Sequence, residues 1–260
     1  MSRFHSSDHY DGSFYYHQKT GSQTAAAAIL PLIFDDLRPK SVVDLGCGVG
    51  TWLTEALRLG ASCAVGIEGP WVAAEDLVDD RIKLVSQDLV EPIAISGGYD
   101  LAISLEVAEH LPSERAVSLI EDLCGLSDWI LFSAAVPGQG GVNHVNEQWQ
   151  SYWIELFAAC GYVSLDVIRH RVWHNSRIPG HYRQNMFLFY RKTGASDDAT
   201  FDILVKKTAP WPANLIHPDM HENVLASISA PPTLPEALGV AVRLPIYAYR
   251  SVRARLWGEV

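Results

Sequence analysis

From residue 41 to residue 190 the chain alternates between two hydrophobic rhythms, short apolar runs and stripes at helical spacing. The first run, Ser41–Leu45, is β-branched. Residues 51–59 then place Trp52, Leu53, Ala56 and Leu57 on one face and stop at Gly60, which predicts a helix. Residues 63–67, 82–86 and 129–133 read as further strands. Residues 99–105 read as a strand too, apolar enough to be covered on both faces. Between them, residues 71–78 predict a short helix. Residues 113–124 predict a longer one, striped by Ala116, Val117, Ile120, Leu123 and Cys124 and closed by Gly125. After a glycine-rich loop at 137–141, Asn146 is placed to cap a helix striped by Trp149, Tyr152, Trp153, Leu156, Phe157 and Cys160. Gly161 ends that helix. Two last strands, 163–168 and 185–190, flank a polar stretch rich in His and Arg with no evident helix.

Strands that alternate with helices must run parallel and cross over right-handed. The expected fold is therefore α/β: a three-layer α/β/α, doubly wound, mostly parallel seven-stranded sheet with an antiparallel edge hairpin. Residues 22–36 read as a preceding helix with a kink at Pro31 and a stop at Pro39. This divides the chain into an N-terminal capping segment and helix (1–40), a ligand-binding domain (41–193) and a C-terminal extension (194–260). The extension is proline-rich and shows no sheet pattern. Its residues 235–257 carry Arg243, Arg250, Arg253 and Arg255 beside Leu244, Tyr247 and Leu256. They read as a helix packed on the domain or in a homodimer, or as a peripheral membrane contact.

The composition, 48% hydrophobic and 19% charged, is that of a globular protein with a core of its own. A net charge of −10 argues against a nucleic-acid partner, which would need a surplus of Lys and Arg. Cys47, Cys63, Cys124 and Cys160 show neither C-x-x-C pairing nor zinc spacing, and they read as reduced thiols in the cytoplasm. The polar start, MSRFHSSDHYDG, is unlike a signal peptide, and the apolar run near residues 25–34 is too short to span a bilayer. No transmembrane segment and no metal site are expected.

The chemistry concentrates at Asp44-Leu-Gly46-Cys47-Gly48-Val-Gly50-Thr51, where a strand runs into three alternating glycines and then a helix. Glycines let the backbone turn tightly and let a ligand approach without a Cβ in the way. A dinucleotide fingerprint would need its third glycine at Thr51. Asp44 would also repel a pyrophosphate but attract the ammonium and sulfonium of S-adenosyl-L-methionine. Asp44-x-Gly-x-Gly-x-Gly50 resembles motif I of the class I methyltransferases. The likeness continues in order through Ile67-Glu68, Gln87-Asp88 and the stretch from Tyr99 to Pro112, covering roughly residues 20–190. The resemblance implies S-adenosyl-L-methionine as cofactor. Its binding residues would be Asp44, Gly46, Cys47, Gly48, Gly50, Glu68, Gly69, Asp88, Leu89, Ser104 and Glu106, with Glu68 on the ribose hydroxyls and Asp88 on the adenine amino group. Where the family often starts a helix, this chain has Gly69-Pro70-Trp71, and Trp71 either stacks on the purine or joins the core.

The acceptor is less constrained. His144, in the loop after the fifth strand, has the residue type of a general base, and Glu147 or Asn143 stands near enough in sequence to orient it. The bland alternative is that His144 caps a helix or bonds a loop carbonyl. Tyr15, Tyr16, His110 and His174 are candidate substrate contacts, with His110 otherwise a structural part of its Glu-His-Leu-Pro turn. His170, His174, His181, Arg171, Arg177 and Arg183 read as a solvated loop or as the wall of an anionic pocket. A loose similarity of the His144–Trp149 and Leu215–Asp219 segments to polysaccharide and natural-product methyltransferases implies a small-molecule substrate. The expected reaction is metal-independent O-methylation of a sugar or secondary-metabolite hydroxyl. An N- or carboxyl-methyltransferase, or a non-catalytic cofactor-binding scaffold, are the alternatives.

Overall fold

The β-branched run at residues 41–45 becomes an interior strand of the sheet, with Val42, Val43 and Leu45 buried between its two faces. The computed structural model describes residues 12–95, 97–192 and 199–229, with side chains for all of these except 12–20 and 227–229. In chain order the elements are α1 (Gly12–Ile29), α2 (Pro31–Leu37), β1 (Ser41–Leu45), α3 (Thr51–Arg58), β2 (Cys63–Glu68), β3 (Lys83–Ser86) and β4 (Leu101–Leu105). Then come α4 (Ala116–Leu126), β5 (Trp129–Ser133), α5 (Gln150–Ala159), β6 (Tyr162–Leu165), α6 (Arg169–Val172), α7 (Gly180–Asn185), β7 (Phe187–Arg191), α8 (Ala199–Lys207) and α9 (Pro218–Ser229).

Among the described residues the strands form one seven-stranded sheet in the order β3-β2-β1-β4-β5-β7-β6. β1 to β5 pair in parallel, while β7 runs antiparallel to both β5 and β6, so the expected doubly wound sheet with an antiparallel hairpin is present. The chain leaves β1 outward through β2 and β3, then returns to lay β4 on the other side of β1. That reversal opens a crevice at the carboxyl ends of β1 and β4, the place where such sheets bind ligands.

Each face of the sheet carries its own core. Ala25, Ile29, Ile33 and Phe34 of α1 and α2 join Leu53 and Ala56 of α3 on one face. On the other, Leu119 and Leu123 of α4 meet Trp153 and Phe157 of α5, and Phe157 stacks on Phe189 at 3.9 Å.

Local differences from the sequence reading have local causes. The helix expected over 71–78 is reduced to one 3-10 turn, Ala74–Asp76. The Trp71 ring folds back over Gly69 and its indole donates to Glu68, which fixes the chain before a helix can start. Asn146 does not cap a helix. It is buried, donates to the Ala108 carbonyl and accepts from Gln148, and α5 begins only at Gln150. α4 passes through Gly125 to Leu126, and Gly97 packs against the Gly125 carbonyl where a Cβ would not fit. The polar stretch between β6 and β7 folds into two short helices, α6 and α7.

Residues 199–221, expected in an extension beyond 193, pack on the body of the sheet, whose compact unit runs to His221. Leu204 is fully buried, Phe201 stacks on Tyr190, and Lys207 pairs with Asp36. The fully buried Arg169 guanidinium holds the next segment: it donates to Asp166 at 2.7 Å and to the carbonyls of Pro212 (2.9 Å) and Ala213 (2.8 Å), and lies 4.2 Å above the Phe187 ring. From Glu222 the chain belongs to a second unit, of which the end of α9 is described. The proposed 235–257 helix lies outside the described residues. No helix among the described residues is long and apolar enough to cross a membrane.

Candidate cofactor and acceptor site

The glycine loop leaves β1 in a tight turn. Gly46, Gly48 and Gly50 have φ of 78°, 52° and 81°, values that L side chains rarely adopt. The Gly46 N–H donates to the Ile67 carbonyl and the Gly50 N–H to the Cys47 carbonyl, so the loop closes on itself before α3. A Cβ on Gly48 would meet nothing within 4 Å, and this backbone faces open space. At Gly46 a Cβ would lie 2.4 Å from a methyl of Val107, which packs the turn after β4 against the loop. Gly46→Ala is therefore expected to cost about 2–5 kcal/mol, combining left-handed strain with overpacking against a stiff β-branched side chain. Urea unfolding measures it, and a loss below 1 kcal/mol would show that Val107 can retreat.

Two carboxylates flank the loop. Asp44 is buried at the end of β1, and its pKa is raised well above the ordinary range by burial first and by the Glu68 charge second. Glu68, at the end of β2, is raised by burial and partly relieved by donors. Its Oε2 accepts the Gly48 N–H (2.8 Å), and its Oε1 accepts the Gly69 N–H (2.9 Å) and the Trp71 indole (3.0 Å). Three of about four lone-pair sites are thus used, leaving capacity for a ligand hydroxyl. Neither acid makes an ion pair among the described residues. Two buried carboxyl groups with no cation partner among the described residues, beside an open glycine loop, fit a cationic nucleoside, and so fit S-adenosyl-L-methionine. The lined hollow adds Ser22, Thr51, Trp52, Leu105 and Tyr182, while the Cys47 thiol is raised by burial and turned toward Gly66. Asp88 is exposed after β3, close enough to raise Glu68, and Leu89 is buried beside it.

β4 delivers the rest. Ser104 is fully buried with an unpartnered hydroxyl. Glu106 sits at φ 55°, a left-handed conformation uncommon outside glycine. Its carboxylate accepts from Gln139 (2.9 Å) and Asn185 (3.2 Å), which bond each other. The next turn brings His110 to 4.9 Å from His144, ring to ring and edge-on. His144 Nδ1 lies 2.9 Å from Glu147 Oε1. Glu147 is itself fixed, accepting the Gly138 N–H at 2.7 Å and the Gly140 N–H at 2.9 Å. The sequence candidates His110, His144, Glu147 and Glu106 therefore share one place. His174 is exposed after α6, away from any contact with them among the described bonds. Tyr15 and Tyr16 lie in α1, and their side chains are outside the described residues.

Residues the sequence reading missed connect the two halves. Tyr182 lines the glycine-loop hollow, and burial first, then the charges of Glu106, Asp44 and Glu109, push its hydroxyl pKa up. Its neighbour His181, which the sequence placed in a solvated loop or a pocket wall, packs on the Tyr182 ring at 4.3 Å, and burial lowers its pKa against the opposing charge of Glu106. Glu109 is fully buried. The Glu106-Val-Ala-Glu109-His110 spacing was the available signal for Glu109; nothing local marked Tyr182, Gln139 or Asn185.

Residues 17–178 match a family model described as a methyltransferase domain, more than half of the chain. A probable chloroplastic tocopherol O-methyltransferase of Oryza sativa subsp. japonica is 37% identical over 87 residues, 30% of this chain and 24% of that one. A ribosomal protein L11 methyltransferase of Edwardsiella ictaluri is 32% identical over 108 residues, 41% of this chain and 33% of that one. The chain thus spans well under half the length of these curated relatives. The crystal structure of magnesium protoporphyrin IX methyltransferase from Synechocystis PCC 6803, with bound SAH, superposes with a TM-score of 0.50 at 20% identity, covering 68% of this chain and 88% of that one. That likeness speaks for the fold. The chain belongs to the methyltransferase-domain family and carries the class I fold of S-adenosyl-L-methionine-dependent methyltransferases.

Proposed function

We propose that the chain transfers the methyl group of S-adenosyl-L-methionine to a hydroxyl of a small molecule, a carbohydrate or secondary metabolite. The observation that carries this reading is the continuity of the two polar centres: Leu105 and Tyr182 line the Asp44 glycine-loop hollow, and Glu106 and Asn185, on the same two segments, bond each other at 3.2 Å. When bound, the cofactor supplies an electrophilic methyl group on a sulfonium. The chain's residues hold it, align the acceptor and manage a proton. Asp44 answers the cofactor's positive charge, Glu68 grips the ribose, and Asp88 meets the adenine edge. His144, backed by Glu147, lowers the cost of removing the acceptor's proton. An alcohol needs such help because it holds its proton tightly, whereas a carboxylate acceptor is already ionised. The net charge of −10 supports a small acceptor over a nucleic acid.

Calorimetry with S-adenosyl-L-methionine and its demethylated form, followed by labelled-methyl transfer to panels of alcohols, amines and carboxylic acids, tests this. Binding of both nucleosides and label in an ether are expected. A folded protein that binds neither nucleoside sinks the reading. Asp44→Asn should weaken cofactor binding by about 10–100-fold, the worth of a hydrogen bond to a charged group. The same variant should change the pH profile of stability in a defined direction. A carboxyl raised by burial stabilises the fold fully below its unfolded pKa and loses that contribution as pH rises through the raised value. Without the acid, the ligand-free protein should lose less stability on going from acid to neutral pH. Chemical denaturation at several pH values reads this out.

A further inference from the structure

We propose that Glu109, His110 and His144 form a binding site for a divalent first-row cation, placed to activate the acceptor hydroxyl. The inference rests on the reading of this pocket as the acceptor site and names how it works. One ligand atom from each of the three residues lies within 4.8 Å of the others. Glu109 is fully buried, and neither of its carboxylate oxygens has a well-formed hydrogen bond, the Ala135 backbone N–H and the Glu106 carboxyl being its close polar neighbours. His110 Nδ1 is buried and unpartnered as well. A buried carboxylate with both oxygens unmet is costly unless something positive or hydrogen-bonding completes it.

The surroundings are those of a prepared ligand set. His144 Nδ1 is taken by Glu147, and Glu147 is clamped by two loop N–H groups. This leaves Nε2 as the lone-pair nitrogen, with its ring direction fixed by a carboxylate, as behind metal-bound imidazoles. Gly141 packs against the imidazole face, where a Cβ would lie 2.3 Å from His144 Nε2, so the missing side chain lets the ring take this position. Two imidazoles and one carboxylate suit Mn²⁺, Fe²⁺, Co²⁺ or Zn²⁺ better than Mg²⁺ or Ca²⁺, which prefer all-oxygen sets. A hydroxyl beside such a cation becomes acidic: its O–H bond breaks, the electron pair stays on oxygen and the proton leaves to solvent. His144 then serves as a ligand and Glu147 positions it.

The test uses the full chain, stripped with a chelator and titrated with Co²⁺, read by visible d–d absorption and by calorimetry. One equivalent is expected to bind. Glu109→Gln and His110→Ala should each weaken Co²⁺ binding by at least about tenfold, while circular dichroism and S-adenosyl-L-methionine affinity stay as in the parent. Glu109→Gln is isosteric, so it remains informative if the His110 variant fails to fold. Label transfer should stop on chelation and return with Mn²⁺ or Co²⁺. Stripped protein that binds the cofactor and transfers label without taking up Co²⁺, or variants that bind Co²⁺ like the parent, would overturn the cation site and leave the methyltransferase reading intact. Co²⁺ uptake by a chain that binds no cofactor would do the reverse.

Discussion

Replacing His144 by alanine is expected to lower methyl transfer by about 10²–10⁴-fold and to leave cofactor affinity unchanged. The split follows from position. His144 stands in the loop after β5, beside His110 and Glu147, whereas the carboxylates fitted to the cofactor lie at the ends of β1 and β2. The loss has the same sign whether the ring takes the proton itself or holds a cation that releases it. Glu147→Gln should cost less, about 10–100-fold, because the Gly138 and Gly140 N–H groups still hold the loop. Turnover at saturating cofactor, set against calorimetric affinity, separates the two effects. Full activity in His144→Ala would remove this residue from the chemistry.

The second large effect concerns stability. Arg169→Ala is expected to destabilise the fold by about 3–5 kcal/mol, because it strands Asp166 as an uncompensated charge in the interior. It also deprives the Pro212 and Ala213 carbonyls of their donor and removes a cation from the Phe187 ring. Arg58→Ala is the control. Its partner Glu55 is also three residues away, but the Arg58 side chain is 63% exposed, so the change should stay within about 1 kcal/mol. Urea unfolding compares them. Equal effects would mean that burial does not set the worth of the Arg169 pair.

The strands were legible because their chemistry is redundant. Leu101–Leu105 and Trp129–Ser133 are buried at every position, and no helical stripe competes with such short runs. The glycine loop was legible for a different reason: Gly46, Gly48 and Gly50 all need positive φ, and Asp44 stands next to them in sequence. The helix expected over 71–78 failed because a tertiary bond, Trp71 to Glu68, outweighed local propensity. The acceptor side was only half visible. His144 and Glu147 are close in sequence, but Glu106 meets Gln139 and Asn185 across separations of 33 and 79 residues. Only folding brings such groups together. Arg183 was read within a solvated or pocket-lining stretch, yet it is buried, bonded to the Trp173 carbonyl and to Asp219.

α7 carries two consecutive side chains that bond each other and tie two distant segments together. Asn185 holds Glu106, while Gln184 accepts the His217 N–H at 2.6 Å and also donates to Asn185. The segment around 212–217 is thereby a mechanical brace for a carboxylate it never touches. Nicking the chain there, far along the sequence from β4, should loosen Glu106 before it unfolds the sheet. Damage near the end of this compact unit would then register first as lost catalysis rather than lost solubility.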